Sequence, residues 1–202
     1  MATRGIHHGR LGDGAVHLCV DMQRLFGPGY PWAVPWLERV VPKIDAICRR
    51  HPARTIFTRF VPVQHPGEGR GTWARYYERW AEVTLDRLGP EPVRLVEALE
   101  AHVPPARVVD KHTYSPWTEQ GLARCLGAGA VDTIVVTGGE TDVCVLATTL
   151  GAIDRGYRTI LVTDALCSSF DDTHDALMEL YLKRFSEQLE VVTTEELLDH
   201  WS

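Results

Sequence analysis

The sequence predicts an α/β protein of three layers, α/β/α, built on a six-stranded, mostly parallel sheet. Two observations carry this expectation. Short runs of apolar β-formers alternate with longer stretches of helical periodicity, and no internal repeat, low-complexity tract or linker interrupts the alternation. Size supplies a third: 202 residues with 45% hydrophobic side chains are enough for one sizeable core, so residues 1–202 are expected to form a single domain.

The expected strands are AVHLCVD (Ala15 to Asp21), ARTIFTRF (Ala53 to Phe60), ARVVDK (Ala106 to Lys111), VDTIVVTG (Val131 to Gly138), YRTILVTD (Tyr157 to Asp164) and LEVV (Leu189 to Val192). The expected helices run from Trp36 to Arg50, Pro92 to His102, Thr118 to Leu126, Thr141 to Arg155, Asp172 to Glu187 and Thr194 to His200, each with apolar residues at helical spacing. A strand–helix alternation of this kind covers both faces of a parallel sheet. The longest non-periodic piece, VPVQHPGEGRG (Val61 to Gly71), reads as a loop that carries function. After it, Trp73, Tyr76, Tyr77 and Trp80 fall on one face of a helix, which either packs on the core or a second subunit, or walls a ligand.

Composition narrows the function classes. A net charge of −6 gives no electrostatic reason to expect nucleic acid or an anionic membrane, which leaves a small molecule as the expected partner. No segment approaches the ~20 apolar residues of a membrane span, and the N-terminal apolar run is too short for a signal-peptide core, so a cytoplasmic protein is expected. Five scattered cysteines without a C-x-x-C pair fit neither a disulfide framework nor a zinc knuckle. GAGAVD (Gly127 to Asp132) precedes a strand and lacks a third glycine, so no dinucleotide site is expected there.

In parallel α/β sheets ligands gather at the carboxyl ends of the strands. Three reactive side chains converge on that edge. Asp21 ends the first strand, Lys111 ends the third, and Cys144 lies about one turn into the helix that follows the fourth. A helix start and a nearby ammonium favour thiolate over thiol, while a carboxylate can take the thiol proton and return it to a leaving group. The preceding GGE permits an unusual turn, Thr141 is placed to cap the helix, and the amides there are free to meet an oxyanion. Cys19, Cys48, Cys125 and Cys167 read instead as inert thiols among apolar neighbours.

These motifs, VDMQ at Asp21, VVDKHTYSPW around Lys111 and GGETDVCV around Cys144, resemble those of the isochorismatase-like cysteine hydrolases, from about residue 15 to residue 195. That group includes nicotinamidases, N-carbamoylsarcosine amidases, and biuret and ureidoacrylate hydrolases. The resemblance implies an Asp21–Lys111–Cys144 triad, a cis peptide between Gly139 and Glu140, and an oxyanion hole from the amides of Glu140 and Cys144. It implies C–N hydrolysis of a small amide or ureido compound through a thioester, and a homo-oligomer, dimer or tetramer, for which the Trp73 to Trp80 stripe is the expected contact. An isochorismatase-type ether hydrolase and a catalytically silent binding protein are the alternatives.

The chain departs from the nicotinamidase pattern, which carries Asp-x-His after the second strand for a metal. Phe60 and Pro62 stand at those positions, so no metal and no cofactor is expected. His65 alone cannot make a zinc site, and His7 and His8 read as tail residues. For substrate contacts, Phe26 matches a family position that stacks on substrate, and Trp73, Tyr114 and Trp117 are placed to line the same pocket. Arg59 and Arg70 flank the variable loop and could hold a substrate carboxylate, or could pair with Glu68 or Glu78. His174 is expected to be structural, with Asp171 and Asp172 favourable at its helix start.

Overall fold

In the computed structural model, residues 5–127 and 131–202 are described; Ala128, Gly129 and Ala130 of the GAGAVD stretch lie outside them. Six strands form one sheet: β1 (Ala15–Val20), β2 (Thr55–Phe60), β3 (Arg107–Lys111), β4 (Thr133–Gly139), β5 (Arg158–Cys167) and β6 (Leu189–Val192). Every pairing is parallel, and the spatial order is β3-β2-β1-β4-β5-β6. The helices are α1 (Leu37–Arg50), α2 (Thr72–Arg79), α3 (Leu85–Leu88), α4 (Glu97–Glu100), α5 (Gln120–Leu126), α6 (Cys144–Ile153), α7 (Asp171–Arg184) and α8 (Thr194–His200).

Alternation along the strands sends side chains to two separate cores. Cys19, Phe57, Val135 and Ile160 pack beneath α1 and α8, against Leu37, Ile44, Ile47 and Leu197. Val16, Leu18, Val20, Ile134 and Val136 pack on the opposite face against Leu122, Val145, Ala152 and Tyr181 of α5, α6 and α7. A third, aromatic cluster around Phe60, Tyr77 and Val83 gathers Trp32, Trp73, Tyr76 and Trp80.

Two segments differ from the sequence expectation. The helix expected over Pro92 to His102 is a 3-10 turn (Glu91–Val93), an extended step and the short α4. Its backbone is drawn away from helix because Leu95 bridges Gln23 and the Val96 amide donates to the Met22 carbonyl at 3.0 Å. The helix expected from Thr141 starts only at Cys144; Thr141 does not cap it but donates through Oγ1 to the Cys167 carbonyl at 3.2 Å.

Beneath the sheet edge, His17 is fully buried between Thr55 and Thr137, at 3.2 and 2.8 Å. The Thr55 hydroxyl is spent on the His51 carbonyl, so Nδ1 of His17 donates to it and Nε2 accepts from Thr137, a neutral ring. Burial, then the neighbouring His51 and His102, push its pKa from 6.5 down to about 3. Between those values the unfolded chain holds a proton that the native ring refuses, so stability is full above 6.5 and falls as pH drops towards 3. By about pH 4.5 this one ring should account for about 2–3 kcal/mol. Urea midpoints measured from neutral pH downwards should show the loss, and His17→Gln should flatten it.

Candidate active site

The strand order reverses between β1 and β4, which opens a crevice beyond their carboxyl ends. Asp21 follows β1 with φ 49°, the one described non-glycine residue in the left-handed region. Its amide donates to the Thr58 carbonyl at 3.2 Å, and Thr58 Oγ1 donates to its Oδ1 at 2.6 Å. Across the crevice, Gly138 has φ 102° and an added Cβ there would meet the Val20 carbonyl oxygen at 2.1 Å. Only glycine lets β4 come this close to β1. Gly138→Ala should therefore cost about 3 kcal/mol or more, from the strained φ and the clash together, read as a fall in urea midpoint.

Lys111 leaves the end of β3 and crosses towards β1, with its ammonium 5.1 Å from the centre of the Phe60 ring. It is completely buried. Its ammonium forms an ion pair with Asp21 Oδ2 at 2.7 Å and donates to the Thr113 carbonyl at 3.0 Å and to Cys144 Sγ at 3.5 Å. Burial works against its charge, yet Asp21 and Cys144 more than offset this and raise its pKa above the ordinary lysine value. The ammonium is thus fixed both in place and in charge.

Cys144 is the first residue of α6. The turn before it runs through a cis Gly139–Glu140 peptide, and the Glu140 carbonyl accepts from the amides of Val143 and Val145 at 3.1 and 3.0 Å. A first-turn amide has no partner inside its own helix, which leaves the Cys144 amide available at the sulfur's own backbone. The Glu140 carboxylate accepts from the Ser169 amide at 2.7 Å, and Asp142 accepts from Ser168 and Thr173, each at 2.6 Å, so the turn is tied to the β5–α7 connection. His174 donates through Nδ1 to Thr141 Oγ1 at 2.9 Å, since that hydroxyl's own hydrogen goes to Cys167.

At the thiol, burial outweighs the nearby ammonium. Burial first, then the charge of Asp21, push its pKa well above the ordinary thiol value, and Lys111 offsets only part of this. Burial and Asp21 thus favour the protonated sulfur.

Above the sulfur lies a cavity of about 130 Å³ lined by Phe26, Trp32, Phe60, Tyr76, Tyr114, Glu140, Val143 and Cys144. Phe26 and Tyr114 are thus brought to the site. Trp73 stands behind the wall, its ring 4.9 Å from that of Tyr114 and 6.2 Å from that of Phe60. The stripe on α2 turns inward, with Tyr77 buried and Tyr76 in the wall.

Three of the expected contacts lie elsewhere. Trp117 follows Lys111 closely in sequence, but its 3-10 turn lays the indole on α6, where Nε1 donates to the Thr148 carbonyl at 2.8 Å and the ring stacks on Tyr157. Arg59 points away from the cavity because it alternates with Phe60 along β2, and it closes on Asp110 of β3 by two bonds of 2.7 and 2.9 Å. Its partner is neither Glu68 nor Glu78. Arg70 is exposed and lines no part of this cavity.

Sequence reasoning did not place Trp32, Phe60 or Val143 in the wall, and reached Tyr76 only through the alternative reading of the aromatic stripe. Tyr76 had a signal in the aromatic stripe, and Phe60 in its replacement of a ligand residue; Trp32, in the irregular GPGYPW loop, had none. Phe60 ends β2 and Pro62 follows it; among the described residues there is no group of three His, Cys, Asp or Glu side chains that could hold a metal ion. No helix among them is long and apolar enough to cross a membrane.

A family model described as the isochorismatase domain matches residues 15–196. The chain is 31% identical over 183 residues to the maleamate amidohydrolase of Pseudomonas putida, covering 86% of this chain and 82% of that one. It is 30% identical over 166 residues to Nicotinamidase 3 of Arabidopsis thaliana, covering 81% and 78%. Among solved structures, a cysteine hydrolase from Pseudomonas syringae superposes with a TM-score of 0.81 at 25% identity, over 99% of this chain and 98% of that one.

Proposed function

The chain belongs to the isochorismatase family, as an amidohydrolase among amidohydrolase relatives, and from that premise we propose that it cleaves a C–N bond of a small amide or ureido compound through a thioester on Cys144. The observation that carries the proposal is the buried ammonium of Lys111, which lies against both Asp21 and Cys144, the sulfur residue that lines the aromatic cavity.

In the proposed reaction Asp21 takes the thiol proton as the sulfur attacks the carbonyl carbon. The oxyanion so formed is held by the amides of Glu140 and Cys144. As the C–N bond breaks, Asp21 gives its proton to the departing ammonia or amine, and the acyl group stays on sulfur. Water then attacks the thioester, loses a proton to Asp21, and the thiol leaves with that proton restored. Lys111 keeps Asp21 oriented and offsets the negative charge that moves between oxygen and sulfur. Because burial and Asp21 favour the protonated thiol, the base is needed in the first step, and the helix start acts on charge as it develops.

We place no metal in this chemistry, since Phe60 and Pro62 occupy the positions where a ligand pair would stand. We further propose that residues 1–202 form one catalytic domain, working in the cytoplasm as a homo-oligomer, dimer or tetramer. Light scattering that gave a clean monomer would overturn the last point.

The test is ammonia release from a panel of nicotinamide, benzamide, maleamate, biuret, alkylureas and N-carbamoyl amino acids, with Cys144→Ala as the blank. Release that vanishes in the blank, together with a trapped acyl adduct on Cys144 by mass spectrometry, supports the reading. Hydrolysis of isochorismate that survives in the blank would replace it with ether hydrolysis.

A further inference from the structure

The cavity above Cys144 is lined by an unbalanced set of groups. Five of its eight lining residues are aromatic, and Val143 adds an apolar wall. The rest are Cys144 itself and Glu140, whose carboxylate is bonded to the Ser169 amide. Cations are close in the fold but already engaged. Lys111 is held by its ion pair with Asp21 and its bonds to Thr113 and the sulfur, and Arg59 is closed on Asp110 outside the wall.

We propose that this site selects its substrate by charge: it takes an uncharged amide or ureide with a compact apolar body and rejects one that bears a carboxylate. The inference rests on the proposed hydrolase activity and names its substrate class.

A carboxylate entering this space would exchange water for a mostly aromatic wall that offers its charge no partner. No free guanidinium fork lines the wall to pair with it. An uncharged body loses little on entering and gains contact with the rings. At about 130 Å³ the cavity is close to the size of an apolar void that holds a benzene ring. The selecting residues Trp32 and Tyr76 come from the GPGYPW loop and from α2, outside the segments that supply Asp21, Lys111 and Cys144.

Pairs matched in shape but not in charge decide the matter. N-carbamoylglycine is compared with N-isobutylurea, which carries an isopropyl group where the acid has its carboxylate, and maleamate with its methyl ester. Each is assayed for ammonia release against the Cys144→Ala blank. The uncharged member should have the larger kcat/KM by about 100-fold. Tyr114→Arg, at the partly exposed rim, supplies the missing guanidinium and should move the ratio towards the acid by about 10-fold or more. Cys144-dependent release that favours the acids in the wild type would overturn the inference and leave the proposed activity standing. A Tyr114→Arg ratio that does not move would overturn the charge argument as well. Silence on every member of both pairs would remove the activity itself and this inference with it.

Discussion

Cys144→Ala is expected to abolish turnover, with kcat/KM down by about 10⁴-fold or more, while the protein folds as before. The fold should survive because the change removes one buried atom beside an established core and leaves the β4–α6 turn intact. That turn is held by the Glu140 carbonyl, the Ser169 amide and the hydroxyls of Ser168 and Thr173, none of which involves the sulfur. What disappears is the only proposed route from amide to acid, because water held by Asp21 cannot form the thioester. A companion measurement tests the resting protonation. Iodoacetamide should alkylate Cys144 slowly at neutral pH and faster as pH climbs past the ordinary thiol value, since burial and Asp21 hold the proton on sulfur. Rapid, pH-independent alkylation, followed on the Cys144 peptide, would mean a standing thiolate and would replace concerted proton transfer with a preformed ion pair.

The convergence of Asp21, Lys111 and Cys144 is legible in the sequence because strand ends are. β1, β3 and β4 each announce themselves as apolar runs, and in a parallel sheet their carboxyl ends share one edge whatever the details of the helices between. The walls of the cavity are not legible in that way. Trp32 lies in a loop without periodicity, and its place is set by contacts with Phe26 just before it and with Phe60, Tyr76 and Trp80 from segments far along the chain. Trp117 shows the opposite failure. Nearness to Lys111 suggests the pocket, yet what decides is the turn at Pro116 and the gap left by Gly151, where an added Cβ would lie 2.2 Å from the indole. The charge state of Cys144 is hidden for a related reason. A helix start and a lysine can be read from residue types, but the burial that outweighs them is a property of the packed site.

Lys111→Met should be the most damaging single change to stability, at about 3–5 kcal/mol, because it leaves the Asp21 carboxylate buried with Thr58 as its remaining side-chain donor. Asp21→Asn alone strands the charge of Lys111 instead, and should also cost both stability and about 10²–10⁴-fold in rate, by removal of the proposed base. The double variant, Lys111→Met with Asp21→Asn, removes both charges and should regain most of the stability lost in Lys111→Met, while activity stays absent. Chemical denaturation of the four proteins gives the coupling directly, and a large favourable interaction between the two sites is the expected result. In the wild type the contribution of Lys111 is fully present below 10.5, where the unfolded lysine is also charged, and is lost only as pH rises through the higher native value. If the double variant were as unstable as the sum of the singles, Lys111 would be stabilising the sheet edge through its stem and not through Asp21. In that event its proposed role of holding the base in place would fall, whatever the kinetics of the single variants.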